Sequence, residues 1–280
     1  MKKCYLQNKT VVISGASGGI GFSVAKMLIE KYNCKIIGIA RNEKKLLTAI
    51  ETLGEKKSNF SYRIFDVSLR ENWQNFAKEL ADNNTQIDVL VNNAGFMLPF
   101  AKYEKYSNAE IDEIVATNFS AYLYSITTLL PLLKQSKTPA IVNVSSAAGL
   151  CAVVGQSMYC ATKYAVRGLT ETLQQEYKKQ MYIGGVYPGF IKTDILNRQS
   201  ESGRKNKLIN GLMMPINKAT KKIVKGIAKK KKRIVMGIDG KPMAFLGRIF
   251  PSLAPTIITK VLKSSKLEMF TDVFDYKEKK

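Results

Sequence analysis

Tyr159 and Lys163 stand four residues apart in the run Tyr159-Cys160-Ala161-Thr162-Lys163. At helical spacing the two share one face, so both side chains can reach a single point. A free phenol has a pKa near ~10, too high for ready proton exchange at neutral pH. A neighbouring ammonium favours the phenolate and lowers that value. Such a tyrosine can serve as a general acid or base. Taken alone the spacing is weak, because most pairs of this kind only decorate a helix surface.

A second group of residues is suited to holding an anion. Ser14-Gly15-Ala16-Ser17-Gly18-Gly19-Ile20-Gly21 follows an apolar strand and opens a helix. Glycines let the backbone turn tightly and approach a pyrophosphate, and a helix N-terminus offers free N–H groups and a favourable dipole. Gly15, Ser17, Gly19, Ile20 and Gly21 are the expected contacts, and Gly21 also allows close packing of helix on strand. The placement after a strand turns a common glycine turn into a strong dinucleotide-binding sign.

The tip of the next strand reads the ribose. An acid there accepts from a 2′-hydroxyl, whereas a base pairs with a 2′-phosphate. This strand ends Gly38-Ile39-Ala40-Arg41-Asn42. Arg41 therefore favours NADP(H) over NAD(H), with NAD(H) the alternative and a solvated helix start the plain reading of the arginine. Asp66, beside Val67 after the third strand, either accepts from an adenine amino group or caps the following helix.

Parallel-sheet architecture would bring these residues together. The apolar strands expected are Thr10–Ala16, Lys35–Ala40, Phe60–Val67, Ile87–Val91, Ala140–Ser145, Ile183–Tyr187 and Arg233–Met236. Helical stretches lie between them: Gly19–Lys31, Glu43–Leu53, Leu69–Ala81, Ala109–Leu133, Tyr159–Lys179 and Lys218–Lys230. The alternation implies an α/β fold, a three-layer doubly wound parallel sheet of the Rossmann type with about seven strands. Ligands of such sheets sit beyond the carboxyl ends of the strands, where every motif named here falls.

Composition removes several classes. The 280 residues contain no histidine and four cysteines without a CxxC pair, so neither a zinc site nor a histidine-based hydrolase has its ligands or base, and no metal is expected. The uncharged stretches Ile114–Leu133 and Thr138–Thr162 carry Asn, Ser and Thr, and read as core and site segments rather than membrane spans. No signal peptide is read at the start, and a cytoplasmic location with reduced thiols is expected.

The chain resembles a short-chain dehydrogenase/reductase. The resemblance rests on the SGASGGIG turn, Asn92-Asn93-Ala94-Gly95, Ser145-Ser146, Tyr159 with Lys163, and Tyr187-Pro188-Gly189, in that family's order and spacing from roughly Lys9 to Thr193. It implies hydride transfer between a nicotinamide and a carbonyl/alcohol pair, with Tyr159 exchanging the proton. Lys163 would tune Tyr159 and hold the nicotinamide ribose. Ser146, thirteen residues before the tyrosine, would bind the substrate oxygen. Asn118 would support a proton-relay water. Asn92, Ala94, Gly95, Pro188, Gly189, Ile191 and Thr193 would line the cofactor. Ser14 departs from the family's usual threonine and keeps the hydroxyl. A homodimer or homotetramer through the long helix and the tyrosine-bearing helix is also implied.

The last third is distinct. Net charge is +22, and residues 190–280 hold 22 basic and 7 acidic residues, +15 of the total. Residues 1–240 are expected to form one catalytic domain with a substrate lid near 194–217. Residues 241–280 are expected to form a basic amphipathic extension. That extension either covers the body of the protein or touches an anionic membrane face peripherally. Nucleic acid is not expected as a partner, because no aromatic-interleaved basic motif is present. The Met-, Phe- and Leu-rich end favours an apolar substrate of the lipid, steroid, retinoid or keto-sphingoid type. The alternatives are small polar or carrier-bound carbonyls and, from another class, a catalytically silent nucleotide sensor.

Overall fold

The structure, a computed structural model, describes residues 4–193 and 213–274. Seven parallel strands form one sheet in the order β3-β2-β1-β4-β5-β6-β7. They are β1 Thr10–Ser14, β2 Lys35–Ala40, β3 Phe60–Ile64, β4 Val89–Asn92, β5 Ala140–Val144, β6 Tyr182–Pro188 and β7 Arg233–Met236. β1, β4 and β5 are rich in Val, Ile and Leu, and these strands and β6 are buried along almost their whole length, as a sheet covered on both faces requires. Order reverses between β1 and β4, which opens the crevice that doubly wound sheets use for ligands.

Helices α1 Gly19–Tyr32, α2 Glu43–Glu51 and α7 Ile216–Ala228 cover one face, and α3 Arg70–Asp82, α5 Ala121–Leu133 and α6 Ser157–Glu176 cover the other. The expected doubly wound, three-layer fold is thus the observed one. β2 and β7 match their expected bounds. β1 stops two residues early because Gly15 turns the chain in the left-handed region, φ +69°. β3 ends at Ile64 rather than Val67. The Val67 carbonyl instead accepts from the buried Trp73 indole at 2.8 Å.

One expected helix is two. The stretch 109–133 divides into α4 Asn108–Val115 and α5, joined by a π-helical turn, Ala116–Ser120. Its apolar period could not reveal the break, because Thr117 and Asn118 are buried inside the turn. Such π turns recur at functional sites.

Beyond β7 the chain forms α8 Gly240–Ile249 and α9 Ala254–Ser264. Met243 and Ala254 pack with Ala147 and Cys151 beside the end of β5. Leu267, Phe270 and Phe274 then pack with Phe96, Phe100 and Tyr159. The extension therefore leans on the segments that surround the tyrosine. Most of the expected lid, 194–212, lies outside the described residues. Its final residues are described: Met214 bridges Ile191, and Ile216 opens α7.

Candidate active site

A cleft of about 600 Å³ opens at the carboxyl ends of the strands, within the usual size of a small-ligand site. It is lined by Gly15, Ser17, Gly19, Ile20, Arg41, Val67, Ala94, Gly95, Ser146, Tyr159, Lys163, Pro188, Gly189, Ile191 and Thr193. These fifteen residues were all expected from the sequence. They come from seven segments spread over 179 positions, from Gly15 to Thr193.

At one end, β1 turns into α1. A Cβ at Gly15 would stand 2.9 Å from the Ala94 Cα, and one at Gly21 would stand 2.3 Å from the Gly15 carbonyl oxygen. Only glycine lets the loop, the helix and the β4 tip close up this tightly. Gly21 is therefore a packing residue behind the cleft wall. No side chain caps the first turn of α1, so its N-terminal donors remain for a ligand anion. Thr193 lies across the start of that helix, its methyl 3.8 Å from where a Gly19 Cβ would be.

The Ser14 hydroxyl accepts from the Asn93 and Ala94 N–H groups at 3.0 and 3.1 Å. Asn93 donates in return to the Ser14 and Gly15 carbonyls at 3.0 and 3.2 Å. The hydroxyl shared by serine and threonine is what this position needs. Asn92, expected at the cofactor, lies elsewhere. It is buried below the cleft, donating to Asn143 at 3.0 Å and accepting from Ser125 at 2.7 Å. Side chains alternate along a strand, so of the two asparagines Asn93 is the one that reaches the cleft.

Arg41 sits at the tip of β2, with its guanidinium 3.6 Å from Asp66 and 3.9 Å from Glu113. Asn42 caps α2 by accepting from the Lys45 N–H at 2.8 Å, which brings Lys45 round beside Gly18. Lys45 was not anticipated, although four residues after Arg41 is helical spacing. Asp66 does not line the cleft. It accepts from the Ser68 N–H and hydroxyl at 2.8 and 2.7 Å, and the N-cap of α3 is Leu69. Asp66 therefore closes a turn ahead of α3 and does not cap the helix. Burial pushes the Asp66 carboxyl up, but Ser68 and Arg41 outweigh it and hold it below its usual range.

At the centre, α6 presents Tyr159 and Lys163, both almost fully buried. The Lys163 Nζ donates to the Val144 carbonyl at 3.2 Å, and the Ser145 hydroxyl donates to the Lys163 carbonyl at 2.7 Å. These bonds staple α6 to the end of β5. The Ser146 hydroxyl accepts from the Ala148 N–H at 3.1 Å and donates to the Pro188 carbonyl over a long 3.4 Å. The lysine nitrogen stands 5.6 Å from the Tyr159 ring centre. Burial pushes Tyr159 up to about 12, with Ser146 offsetting part of the rise. Burial also pushes Lys163 down to about 8. In the protein alone, desolvation therefore outweighs the lowering expected from Lys163.

Asn118 sits behind this group. It accepts from the Phe96 N–H at 2.9 Å and donates to the Phe96 carbonyl at 2.8 Å. A Cβ at Gly95 would stand 3.0 Å from its Oδ1 and 3.3 Å from the Lys163 Nζ. Asn118 thus fixes the strand-end segment against the lysine without lining the cleft itself.

Beyond Tyr159 the wall is largely apolar, with Phe96, Met97, Phe100, Val153, Phe190 and Met243. Few of these carried a sequence sign, because they meet only through the packing of distant loops. Three polar atoms in the cleft wall are buried and unpartnered: Thr117 Oγ1, Gln156 Oε1 and Asp239 Oδ1. A native interior seldom leaves such atoms idle. With the glycine cradle, they fit the cleft to a dinucleotide and a second molecule. Among the described residues no group of His, Cys, Asp or Glu could hold a metal ion.

Comparison with known proteins agrees with this geometry. Residues 9–203 match the family model described as short chain dehydrogenase. Over 215 residues the chain is 35% identical to a 3-oxoacyl-[acyl-carrier-protein] reductase of Chlamydia trachomatis, covering 74% of this chain and 83% of that one. It is 32% identical over 208 residues to an uncharacterized oxidoreductase of Staphylococcus saprophyticus, covering 71% and 81%. Among solved structures, a Burkholderia phymatum short chain dehydrogenase/reductase in complex with NAD aligns with a TM-score of 0.77 at 20% identity, over 90% of this chain and 96% of that one. A Thermococcus sibiricus alcohol dehydrogenase complexed with 5-hydroxy-NADP aligns with a TM-score of 0.69 at 24% identity, over 81% and 93%. At these identities the solved structures speak for the fold.

Proposed function

The chain belongs to the short chain dehydrogenase family, oxidoreductases that act on alcohol/carbonyl pairs with NAD(P), and on that premise we propose that it is an NADP(H)-dependent reductase of an apolar carbonyl compound. The apolar wall facing Tyr159 carries the substrate reading. Arg41 and Lys45 carry the cofactor reading. Both line the β2 end of the cleft, whereas Asp239, the one carboxylate among the described lining residues, lies at the other end.

When bound, the nicotinamide supplies the hydride. The chain's own groups do the rest. Ser146 gives up its long bond to Pro188 and donates to the substrate oxygen, its lone pair held by the Ala148 N–H. Tyr159, kept a neutral phenol by burial, donates the proton that the carbonyl oxygen takes on reduction, and the phenolate so formed is the acceptor in the reverse reaction. Lys163 spends one N–H on Val144 and has two left for ribose hydroxyls. Asn118 is a positioning residue that holds Phe96 and Gly95; the relay water rests on the family resemblance. Assembly into a homodimer or homotetramer through α4, α5 and α6 is part of the same reading, and sedimentation velocity tests it.

The test is NADPH consumption with a panel of apolar ketones, small polar carbonyls and a 3-oxoacyl carrier thioester. Tyr159→Phe should lose roughly 10²–10⁴-fold in turnover of the preferred carbonyl, with an unchanged thermal midpoint. If the parent consumes NADPH with no member, or Tyr159→Phe keeps full activity, the mechanism fails. A second reading, a carrier-bound acyl substrate, is favoured by the name of the Chlamydia relative. It stands if the carrier thioester has the highest kcat/KM of the panel.

A further inference from the structure

Twelve large hydrophobic side chains are exposed among the described residues, and seven of them fall between Ile238 and Val261. They are not scattered there. On α8, Phe245 and Ile249 are one helical turn apart. Leu253 at the N-cap of α9, with Ile257 and Val261 on the helix, forms a stripe of the same spacing, and Phe250 sits between the two helices. Each helix also has an inner stripe, Met243 with Leu246 and Ala254 with Ile258, which packs against Ala147 and Cys151. The outer apolar stripes therefore remain after the inner ones have done the work of docking the helices.

The charge around this surface has one sign. From Gly240 to Leu267 the sequence contains no Asp or Glu, and Lys241, Arg248, Lys260, Lys263 and Lys266 are all exposed. An apolar face rimmed by lysine and arginine matches a bilayer of anionic lipid, with apolar side chains entering the acyl boundary and cations meeting headgroup phosphates. It is a poor match for a second copy of this chain, which would bring the same cations against them on a protein of net charge +22. Helices of ten and eleven residues are too short to cross a bilayer. No helix among the described residues is long and apolar enough to do so. They can only lie flat.

We propose that α8 and α9 form a membrane-docking face that seats the protein on an anionic lipid surface. The inner side of α8 carries Met243 into the wall of the cleft. Docking therefore places the apolar end of the cleft beside the bilayer, where an amphiphilic carbonyl compound would reside. This last step rests on the substrate reading given above; the docking face itself does not.

The experiment is flotation of the full chain with vesicles of phosphatidylcholine, with and without phosphatidylglycerol. The parent is expected to float with the anionic vesicles, and less so with phosphatidylcholine alone or in high salt. Leu253→Gln/Ile257→Gln/Val261→Gln should lower the bound fraction more than about tenfold, with circular dichroism and thermal midpoint unchanged. Phe245→Gln/Ile249→Gln, on the other helix, should lower it in the same direction and guards against a folding defect in α9. Lys260→Gln/Lys263→Gln/Lys266→Gln should abolish the preference for phosphatidylglycerol. A parent that floats with neither vesicle, or apolar variants that float as the parent does, overturns the proposal. So does a parent dimer that these variants dissociate while no vesicle is bound, which would make the face an interface between copies. Flotation needs neither cofactor nor turnover. An inactive enzyme would therefore leave this result standing, and absent flotation would leave the reading of the cleft untouched.

Discussion

At the glycine-rich end of the cleft the Ser14 hydroxyl accepts two backbone hydrogen bonds, and Asn93 returns two. At the other end Asp239 spends one carboxylate oxygen on the Phe190 N–H, at 2.9 Å, and leaves the other without a partner, as Gln156 leaves its Oε1. The first end fixes its own backbone and keeps only the N-terminal donors of α1 for an anion. The second is built with unspent hydrogen-bonding capacity, which a ligand must satisfy. A site that binds one constant dinucleotide and one particular substrate benefits from this division, since a preformed cradle costs the cofactor little ordering entropy.

The largest effect should come from the cofactor end. Arg41→Ala removes a charge-assisted contact worth about 1.5–3 kcal/mol, so the KM for NADPH should rise roughly ten- to a hundredfold while that for NADH barely moves. The carboxylates beside Arg41 are partly exposed and hold it weakly, so pairing with a phosphate is not contested. Equal losses with both cofactors would show that Arg41 only opens α2. Ser14→Ala probes the same end through stability. It leaves the buried Ala94 N–H and the half-buried Asn93 N–H without an acceptor, at about 1–3 kcal/mol, and the thermal midpoint should fall by several degrees. Ser14→Thr, which keeps the hydroxyl, should restore most of it. An unchanged midpoint in Ser14→Ala would mean that this end is no more finished than the other.

Much of the cofactor end was legible because its signs are local. The turn Gly15–Gly21, Arg41 at a strand tip and Tyr159 four residues before Lys163 each need only a few adjacent residues to be read. Asn92 was misplaced because a doublet of asparagines does not announce which one faces the cleft. The helix expected over 109–133 hid its π turn for a similar reason: inserting a wider turn does not disturb an apolar run. Asp239 and Gln156 carried no sign at all, and Met243 only the apolar character of the chain's last third. They reach the cleft through the packing of α8 and of the loop before α6, contacts that only the folded chain defines.

Lys163 lies between the two ends, and its titration tests whether the centre behaves as one unit. Burial lowers it to about 8, so the cation is present below that pH and is lost above it. If the cation is needed, kcat/KM for reduction should fall through about pH 8 and then about tenfold per unit. Tyr159, held up near 12, stays protonated throughout. Lys163→Arg keeps its charge at all these pH values and should lose this alkaline limb even if its activity is lower. A limb that survives in the variant would belong to another group.

The smallest effect, at the substrate end, is the one that separates holding a fold from holding a ligand. Burial raises the Asp239 pKa above its ordinary value of 3.8. A raised acid stabilises the fold fully only while protonated, below its unfolded pKa, and loses that contribution as pH rises through the folded value. At neutral pH, above its unfolded pKa, the Asp239 carboxyl is therefore a burden on the fold. Asp239→Asn keeps an oxygen for the Phe190 N–H and removes the charge, so its thermal midpoint at pH 7 should match or exceed the parent's by about a degree or two. The gap should close as pH falls below about 4, where the parent carboxyl is neutral too. The same variant should raise the KM of the cofactor or the carbonyl substrate, because the idle Oδ1 becomes an amide that can no longer accept at that position. A lower midpoint with unchanged KM would reverse the assignment and make Asp239 a structural strut like Ser14, erasing the difference between the two ends.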